Sequence, residues 1–459
     1  MQTDTTLTNQ LLVEDIGQKD EVSAYPAALL LFDYPTKFYD LKPFKQKEFD
    51  YYYSKSDRYA MIIEVSWRNI EIRKPEATPV PYISVSKCSE LAFNSSEREK
   101  KALEVDNGRV ISAAVLTTIC TEIDYRIISK QYQWEEEKIT KVKVSKKKPI
   151  PVELKEKILD YYMKKTSLKQ DEASPDFDPE IDYYYRKVKG EINGIYGMHV
   201  TNPIKHDYLI NNTNEVLVLD DGTEVPPHCL YQDTSVSDEE ILSDYYTNYS
   251  SFLSYQVGVW VTSYARMMLE QGIDACYNFQ TGRSDLIYVD TDSCKYINKS
   301  LHEAAFQRIN EARMKLADER GAYIDYEGKR YYLGIFDSEP DALAFKTFGA
   351  KKYMYAYKHG DEVDFKITIS GVPKAAGKAC IKEAIKKGRL KSFLDVKKGF
   401  IFHGIKTTSC YNELDCLQCY EVEGKKVYYS SNIAMYPNSY TLGLTYDFEL
   451  LLEQFKEYM

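Results

Sequence analysis

Tyr288-Val289-Asp290-Thr291-Asp292-Ser293 sets two carboxylates two positions apart inside an otherwise strand-like run. On either side lie Asp285-Leu286-Ile287-Tyr288-Val289 and Ser293-Cys294-Lys295-Tyr296-Ile297, rich in the apolar, β-branched and aromatic residues that favour strands. The pattern predicts a β-hairpin turning at the two aspartates. On extended backbone, residues two apart project to the same side, so both carboxylates would share a face. Two acids held side by side repel each other unless a cation neutralises them. The hairpin therefore reads either as a divalent-metal site or as a turn with two solvated aspartates.

A segment far upstream bears on that choice: Asp20-Glu21-Val22-Ser23-Ala24-Tyr25-Pro26. Asp20 offers a third carboxylate, and Pro26 suits the end of a strand or the start of a turn. Three such groups brought together would suit two Mg²⁺ ions about 3.5–4 Å apart, the arrangement that steadies both attacking and leaving oxygens in phosphoryl transfer. Mn²⁺, which also prefers oxygen ligands, can substitute. Tyr25 could place its ring under the sugar of a bound nucleotide. With 41 tyrosines in the chain, a packed core ring is the plainer alternative.

Between these acids, residues 150–199 read as a helical hairpin. Pro151 suits the start of a helix, and Leu154, Ile158 and Tyr162 recur at helical spacing. The stretch Asp171 to Glu180, with two prolines, breaks the pattern as a loop tip. A second helix over 181–196 would carry Ile181, Tyr184, Val188, Ile192 and Ile195 on its apolar face. Arg186, Lys189, Asn193 and Tyr196 fall on another stripe. Two cations, an amide and a ring on one stripe suit a triphosphate with a base stacked above it. Lys165 and Lys169 would close from the preceding helix. Further helices are expected at 258–271, 300–317 and 447–459, and strands at 60–65, 82–85 and within 330–358.

Composition bounds these readings. The 459 residues suffice for two or three structural modules, and 44% hydrophobic content fits a globular chain. No run approaches the ~18 apolar residues of a membrane span, and the N-terminal MQTDTTLTNQ lacks a secretory pattern. A cytoplasmic protein with no membrane partner is expected, in the host bacterial cytoplasm if viral. Nine cysteines without repeating spacing fit reduced thiols. Cys416 and Cys419, near Cys410 and His403, lack the second ligand pair usual in a structural zinc site.

A formal charge of −10 excludes a surface coated in positive charge, but not a local basic groove. Lysines 138, 141, 143, 146, 147 and 148 form a partly alternating run, read as a strand edge blunted by charge or as a nucleic-acid contact. Lys374, Lys378, Lys382 and Lys386 recur every four residues. A helix there would present a basic stripe fit for duplex phosphates, or a merely solvated face.

Taken together, Asp20 to Pro26, Lys189-Gly-Glu-Ile-Asn193-Gly-Ile-Tyr196-Gly197 and Tyr288 to Ser293 resemble motifs A, B and C of family B DNA polymerases, in that family's order. Lys351-Lys352-Tyr353 is similar to its lysine-x-tyrosine element. Asp106 to Arg109, Thr121 to Asp124 and Gly258 to Arg266 are most similar to the protein-primed bacteriophage branch. The resemblance covers about residues 10 to 360.

It implies an α+β, right-hand polymerase fold: an antiparallel palm sheet with helices, helical-hairpin fingers, and a thumb. The implied layout is a palm N-terminal part with an insertion (1–149), fingers (150–199), a palm C-terminal part with a second insertion and the catalytic hairpin (200–359), and a thumb (360–459). Asp20 and Asp292 would be the principal metal ligands, supported by Asp290. Lys169, Lys189 and Arg186 would hold the dNTP phosphates, Tyr25 would exclude a 2′-hydroxyl, and Asn193 and Tyr196 would line the base-pair pocket. Thr291, Lys351, Tyr353, Lys374, Lys378 and Lys382 would meet primer-template DNA.

Four departures stand out. Gly194 replaces a usual serine, Glu21 sits where an apolar strand residue is expected, Gly17-Gln18-Lys19 precedes Asp20, and the glycine-rich element before motif A has no match. Fewer than twenty residues precede Asp20, so proofreading is expected to be missing or supplied by a separate exonuclease chain. A terminal priming protein is a further expected partner. The rivals are a reverse transcriptase or RNA polymerase, which share the paired-acid hairpin, and a non-catalytic DNA-binding subunit.

Overall fold

The computed structural model describes residues 2–3, 11–12, 15–91, 103–170, 174, 176–205, 208–219, 222–232, 236–248, 254–349, 351–360, 362–397, 399–407, 410–411, 417–422 and 425–435. The helix expected at 447–459, and Cys416 of the cysteine pair, lie outside them. The chain divides into two compact units. The first takes the described parts of 1–197 and 256–364, the second those of 198–255 and 365–436.

In the first unit, the elements that matter here run as follows. Strand β1 is Gly17–Glu21 and helix α1 is Ala24–Leu31. Strands β2 (Tyr34–Asp40), β3 (Tyr59–Ile72) and β4 (Arg109–Thr121) precede helix α2 (Glu122–Gln131) and strand β5 (Glu136–Lys148). Helices α3 (Val152–Ser167), α4 (Pro179–His199) and α5 (Tyr255–Ala275) follow. Next come β6 (Leu286–Asp290), β7 (Ser293–Tyr296), α6 (Lys299–Arg320) and β8 (Phe336–Ser338). Strands β9 (Ala342–Thr347) and β10 (Lys352–His359) pair antiparallel.

Two sheets dominate the first unit. One has the order Gln2–Thr3, β6, β7, β1, β8, so the strand bearing Asp20 runs beside the hairpin bearing Asp290 and Asp292. The other has the order β2, β5, β3, β4, Cys88–Leu91, with two short strands off its path. Strand β3 alternates cleanly: Met61, Ile63, Val65 and Trp67 are all fully buried, as period-two geometry requires of a half-buried strand. The 82–85 strand does not form; Ser84 makes only an isolated bridge to Arg109.

The lysine run of β5 is not a blunted edge, because β5 lies between β2 and β3. Two of its lysines are held by cross-strand acids: Lys141 by Glu64 at 3.0 Å and Lys143 by Asp40 at 3.2 Å. Lys147 turns inward to Glu122 at 2.7 Å.

The helical hairpin α3–α4 roots in the core shared by α1, α5 and α6. Ile158, Tyr162 and Ile192 pack there with Ala27, Trp260, Met268 and Ala317. The outer half of α4 does not pack as its apolar spacing suggests. Ile181 and Tyr184 are exposed, because nothing among the described residues covers that end of the helix. In the second unit, helix α7 (Lys374–Lys386) forms where the lysine periodicity places it. Gly377, Ile381 and Ala384 are buried, while Lys374, Lys382 and Lys386 are exposed and Lys378 is half-buried. Cys410 is buried and Cys419 exposed.

Candidate active site

Strand β1 decides the site. Its sequence Gly-Gln-Lys-Asp-Glu holds no apolar side chain, yet it runs between β7 and β8 with four of its five residues buried. Gln18, Lys19 and one carboxylate oxygen of Glu21 find partners on one sheet face or the other, while Glu21 Oε2 is buried without one. On the helix-covered face, Glu21 Oε1 accepts from Arg313 of α6 at 2.9 Å, and Lys19 donates to Glu303 at 2.9 Å and Ser338 at 2.8 Å. Gly17 leaves room for the Tyr296 ring: a Cβ there would lie 2.5 Å from it. The residues that read as departures from the family pattern are thus what pins the strand.

The opposite face carries Asp20, the acid that the sequence singles out on this strand. Asp20 pairs in register with Ser293 of β7, and Ser293 with Asp290 of β6. Asp292 sits in the turn, where Thr291 takes a left-handed φ of 50°. The two hairpin acids are therefore separated by a tight turn and not by extended backbone. The turn is fixed by Asp292 N–H donating to the Asp290 carbonyl at 2.5 Å and by Glu21 N–H donating to the Asp292 carbonyl at 2.8 Å. Thr291 Oγ1 donates to Asp290 at 3.0 Å.

Electrostatics show which acids face one another. Burial, then the charges of Asp292 and Glu339, push Asp20 up to about 7, against opposing pulls from Lys295 and Lys189. Burial and Asp290 push Asp292 up to about 6, with Glu339 adding to the rise. Glu339, just beyond β8, is thus a fourth acid at the site. Sequence reading passed it over, because an isolated Ser-Glu-Pro carries no motif signal. Its proximity follows only from β8 lying beside β1.

The cations converge from the hairpin. Lys165 donates to Ser23 Oγ at 2.9 Å, and Ser23 holds a left-handed φ of 53° at the start of α1. Burial, then Lys189 and Lys169, bring Lys165 down to about 8. Helix α3 ends at Ser167, so Lys169 lies beyond it and not on its face, yet still beside Lys165. Lys189 acts on both Asp20 and Asp292. Arg186 is the outlier: it is exposed and paired with Asp182 one turn away on its own helix. Tyr25 and Tyr196 stack with centroids 4.3 Å apart and planes inclined by 20°. Asn193 is exposed one turn before Tyr196.

Tyr288, fully buried, links the acids to the loop before β10. Its hydroxyl accepts from the Lys351 N–H at 3.2 Å and donates to Asp290 at 3.4 Å. Its ring lies 4.7 Å from that of Tyr353.

Carboxylate oxygens are hard donors, and Mg²⁺ is commonly held by one or two carboxylates together with substrate phosphates. Asp20 and Asp292, both within reach of the charge of Glu339 and the latter also of Asp290, supply oxygen donors of the type such an ion takes. Among the described residues, no group of three or more histidine, cysteine, aspartate or glutamate side chains is placed to hold a metal ion by itself. The remaining positions would fall to solvent or to a phosphate-bearing ligand.

No protein-family model and no curated protein sequence matches the chain. Solved structures do match it. Phi29 DNA polymerase complexed with primer-template DNA, a post-translocation binary complex, aligns with a TM-score of 0.55 and 13% identity over 95% of this chain and 60% of that one. Its ternary complex with primer-template DNA and incoming nucleotide substrates aligns with the same TM-score and coverage at 14% identity, as does its complex with single-stranded DNA. The chain thus spans about 60% of the length of these neighbours. What the likeness establishes is the fold: this mixed helix-and-sheet chain has a DNA polymerase fold.

Proposed function

We propose that this chain is a DNA-templated DNA polymerase that adds dNMP to a primer 3′-hydroxyl, working in bacteriophage DNA replication. The observation that carries the reading is that Asp20 of β1 and Asp292 of the β6–β7 turn lie within reach of one another's charge and of Lys189, with Lys165 and Lys169 beside that lysine. In this reading the five-stranded sheet is the palm, α3–α4 the fingers, and 360–459 the thumb. The nucleotide and primer-template DNA held by the phi29 neighbours are the corresponding substrates.

Mg²⁺ held by Asp20 and Asp292 would supply Lewis-acid activation of the primer hydroxyl and neutralise the departing pyrophosphate. The protein's own part is positioning and charge. Lys165, Lys169 and Lys189 hold the triphosphate, with Ser23 fixing the first of them. Arg186 joins them only by leaving Asp182. The Tyr25 ring, braced by Tyr196, closes the space a 2′-hydroxyl would need, and Asn193 and Tyr196 line the base-pair pocket. Thr291, Lys351 and Tyr353 steady the primer end, while Lys374, Lys378 and Lys382 track duplex phosphates. A terminal priming protein would complete the assembly.

The test is extension of a primed DNA template by the purified chain with Mg²⁺ or Mn²⁺. Asp292→Asn should abolish incorporation and leave primer-template binding intact. Retained synthesis by that variant, or no synthesis by the parent with its partner proteins present, overturns the reading. Tyr25→Ala should admit ribonucleotides, which separates this reading from an RNA polymerase or reverse transcriptase.

A further inference from the structure

Lys295 is a buried cation on the acid-bearing face of the sheet. It pairs in register with Gln18 of β1 and Tyr288 of β6, which places it one pleat along from Ser293 on the face shared by Asp20 and Asp290. It is only 2% exposed. An ammonium out of water persists only where its donors and charge are compensated. Here Nζ donates to Gln18 Oε1 at 2.9 Å and to Glu339 Oε2 at 3.2 Å. It also lies 5.6 Å and 5.7 Å from the ring centroids of Tyr353 and Tyr355, within cation–π range. Gln18 completes the frame: its side chain donates to the Pro340 carbonyl at 2.8 Å, and its carbonyl accepts from the Glu339 N–H at 3.1 Å.

This frame seats Glu339, whose charge acts on both Asp20 and Asp292. Neighbouring carboxylates repel one another, and Lys295 is the only buried cation bonded to any of Asp20, Asp290, Asp292 and Glu339 among the described residues. We propose that Lys295 is a positioning residue, a resident counter-cation that seats Glu339 and offsets the charge of the acid-bearing face around Asp20 before a divalent ion arrives. This rests on the polymerase reading above. Its consequence is that the metal-free protein is already assembled, so Mg²⁺ adds little to its stability.

The test compares thermal unfolding in EDTA and in Mg²⁺ for the parent, Lys295→Met, and Lys295→Met with Glu339→Gln. Lys295→Met should lower the metal-free midpoint, and its Mg²⁺-induced rise should be at least double the parent's. The double variant should regain much of the metal-free loss, since it no longer strands a carboxylate. An unchanged Mg²⁺-induced rise in Lys295→Met, or no recovery in the double variant, overturns the proposal. Should Lys295→Met not fold, Glu339→Gln alone decides, because Glu339 is partly exposed and its loss leaves Lys295 uncompensated. Mg²⁺ affinity by titration calorimetry should then fall about tenfold, as when a supporting shell around a metal is altered; unchanged affinity overturns the proposal. A parent that binds no Mg²⁺ in the presence of primer-template and dNTP removes the polymerase reading as well. A parent that binds Mg²⁺ while the variants behave like it removes only the role of Lys295.

Discussion

Strands β1 and β3 are both central in antiparallel sheets, and they are built on opposite principles. β3 is fourteen residues long and alternates large apolar residues with polar ones, so burial alone sets its register. β1 is five residues of Gly-Gln-Lys-Asp-Glu, and its register is set by partners: Arg313 for Glu21, Glu303 and Ser338 for Lys19, Lys295 for Gln18. A strand fixed by burial tolerates exchange among apolar residues of similar volume. A strand fixed by pairing tolerates almost none, but it can carry a charged group such as Asp20 into the middle of a sheet.

The sharpest way to break this contrast is to cut one pair. Arg313→Met leaves Glu21 buried without its cation and should cost about 3–5 kcal/mol in urea unfolding. Adding Glu21→Gln should return part of that, not all, because Arg313 also serves the Gly334 and Met268 carbonyls. No recovery in the double variant would mean that β1 is not held by charge pairing. In β3, Ile63→Ala should cost roughly 2–5 kcal/mol as an ordinary cavity, and no second substitution at a polar neighbour should restore it.

Gly17→Ala should cost about 1–3 kcal/mol by crowding the Tyr296 ring, and Tyr296→Leu in the same chain should relieve most of it. The smallest effect concerns pH. Lys165 is lowered to about 8 by burial and neighbouring cations, so it carries its charge below that pH and loses it above. The apparent KM for dNTP should rise a few-fold between pH 7 and 9, and Lys165→Met should flatten that rise.

Much of the fold was legible because it rests on periodicity. The helices at 152–167, 179–199, 255–275 and 299–320 and the hairpin at 286–296 follow apolar spacing that the sequence states outright. Asp290 and Asp292 could be singled out in the sequence because carboxylates two residues apart in a strand-like run are costly, and the structure brings Asp20 onto the strand beside their hairpin. Other features were hidden for physical reasons. Glu21 and Lys19 looked out of place because their partners lie some 290 residues away in sequence. Glu339 gave no signal because its role follows from strand order and not from its neighbours. The outer half of α4 shows an apolar stripe that packs on nothing described, so spacing overstated its burial. Arg186 shares a stripe with Lys189, but Asp182, one turn back, captures it.

Glu122, at the start of α2, binds Lys147 of β5, the indole of Trp260 in α5 and the backbone N–H of Met61 in β3. Two residues on, Asp124 holds Arg266 of the same α5 and the hydroxyl of Tyr82. The seven-stranded module is therefore spliced into the helix that underlies the five-stranded sheet. A minimised version of this protein made by excising residues 34–148 would strand Trp260 and Arg266 without their acids, so trimming should begin at some other branch of the chain.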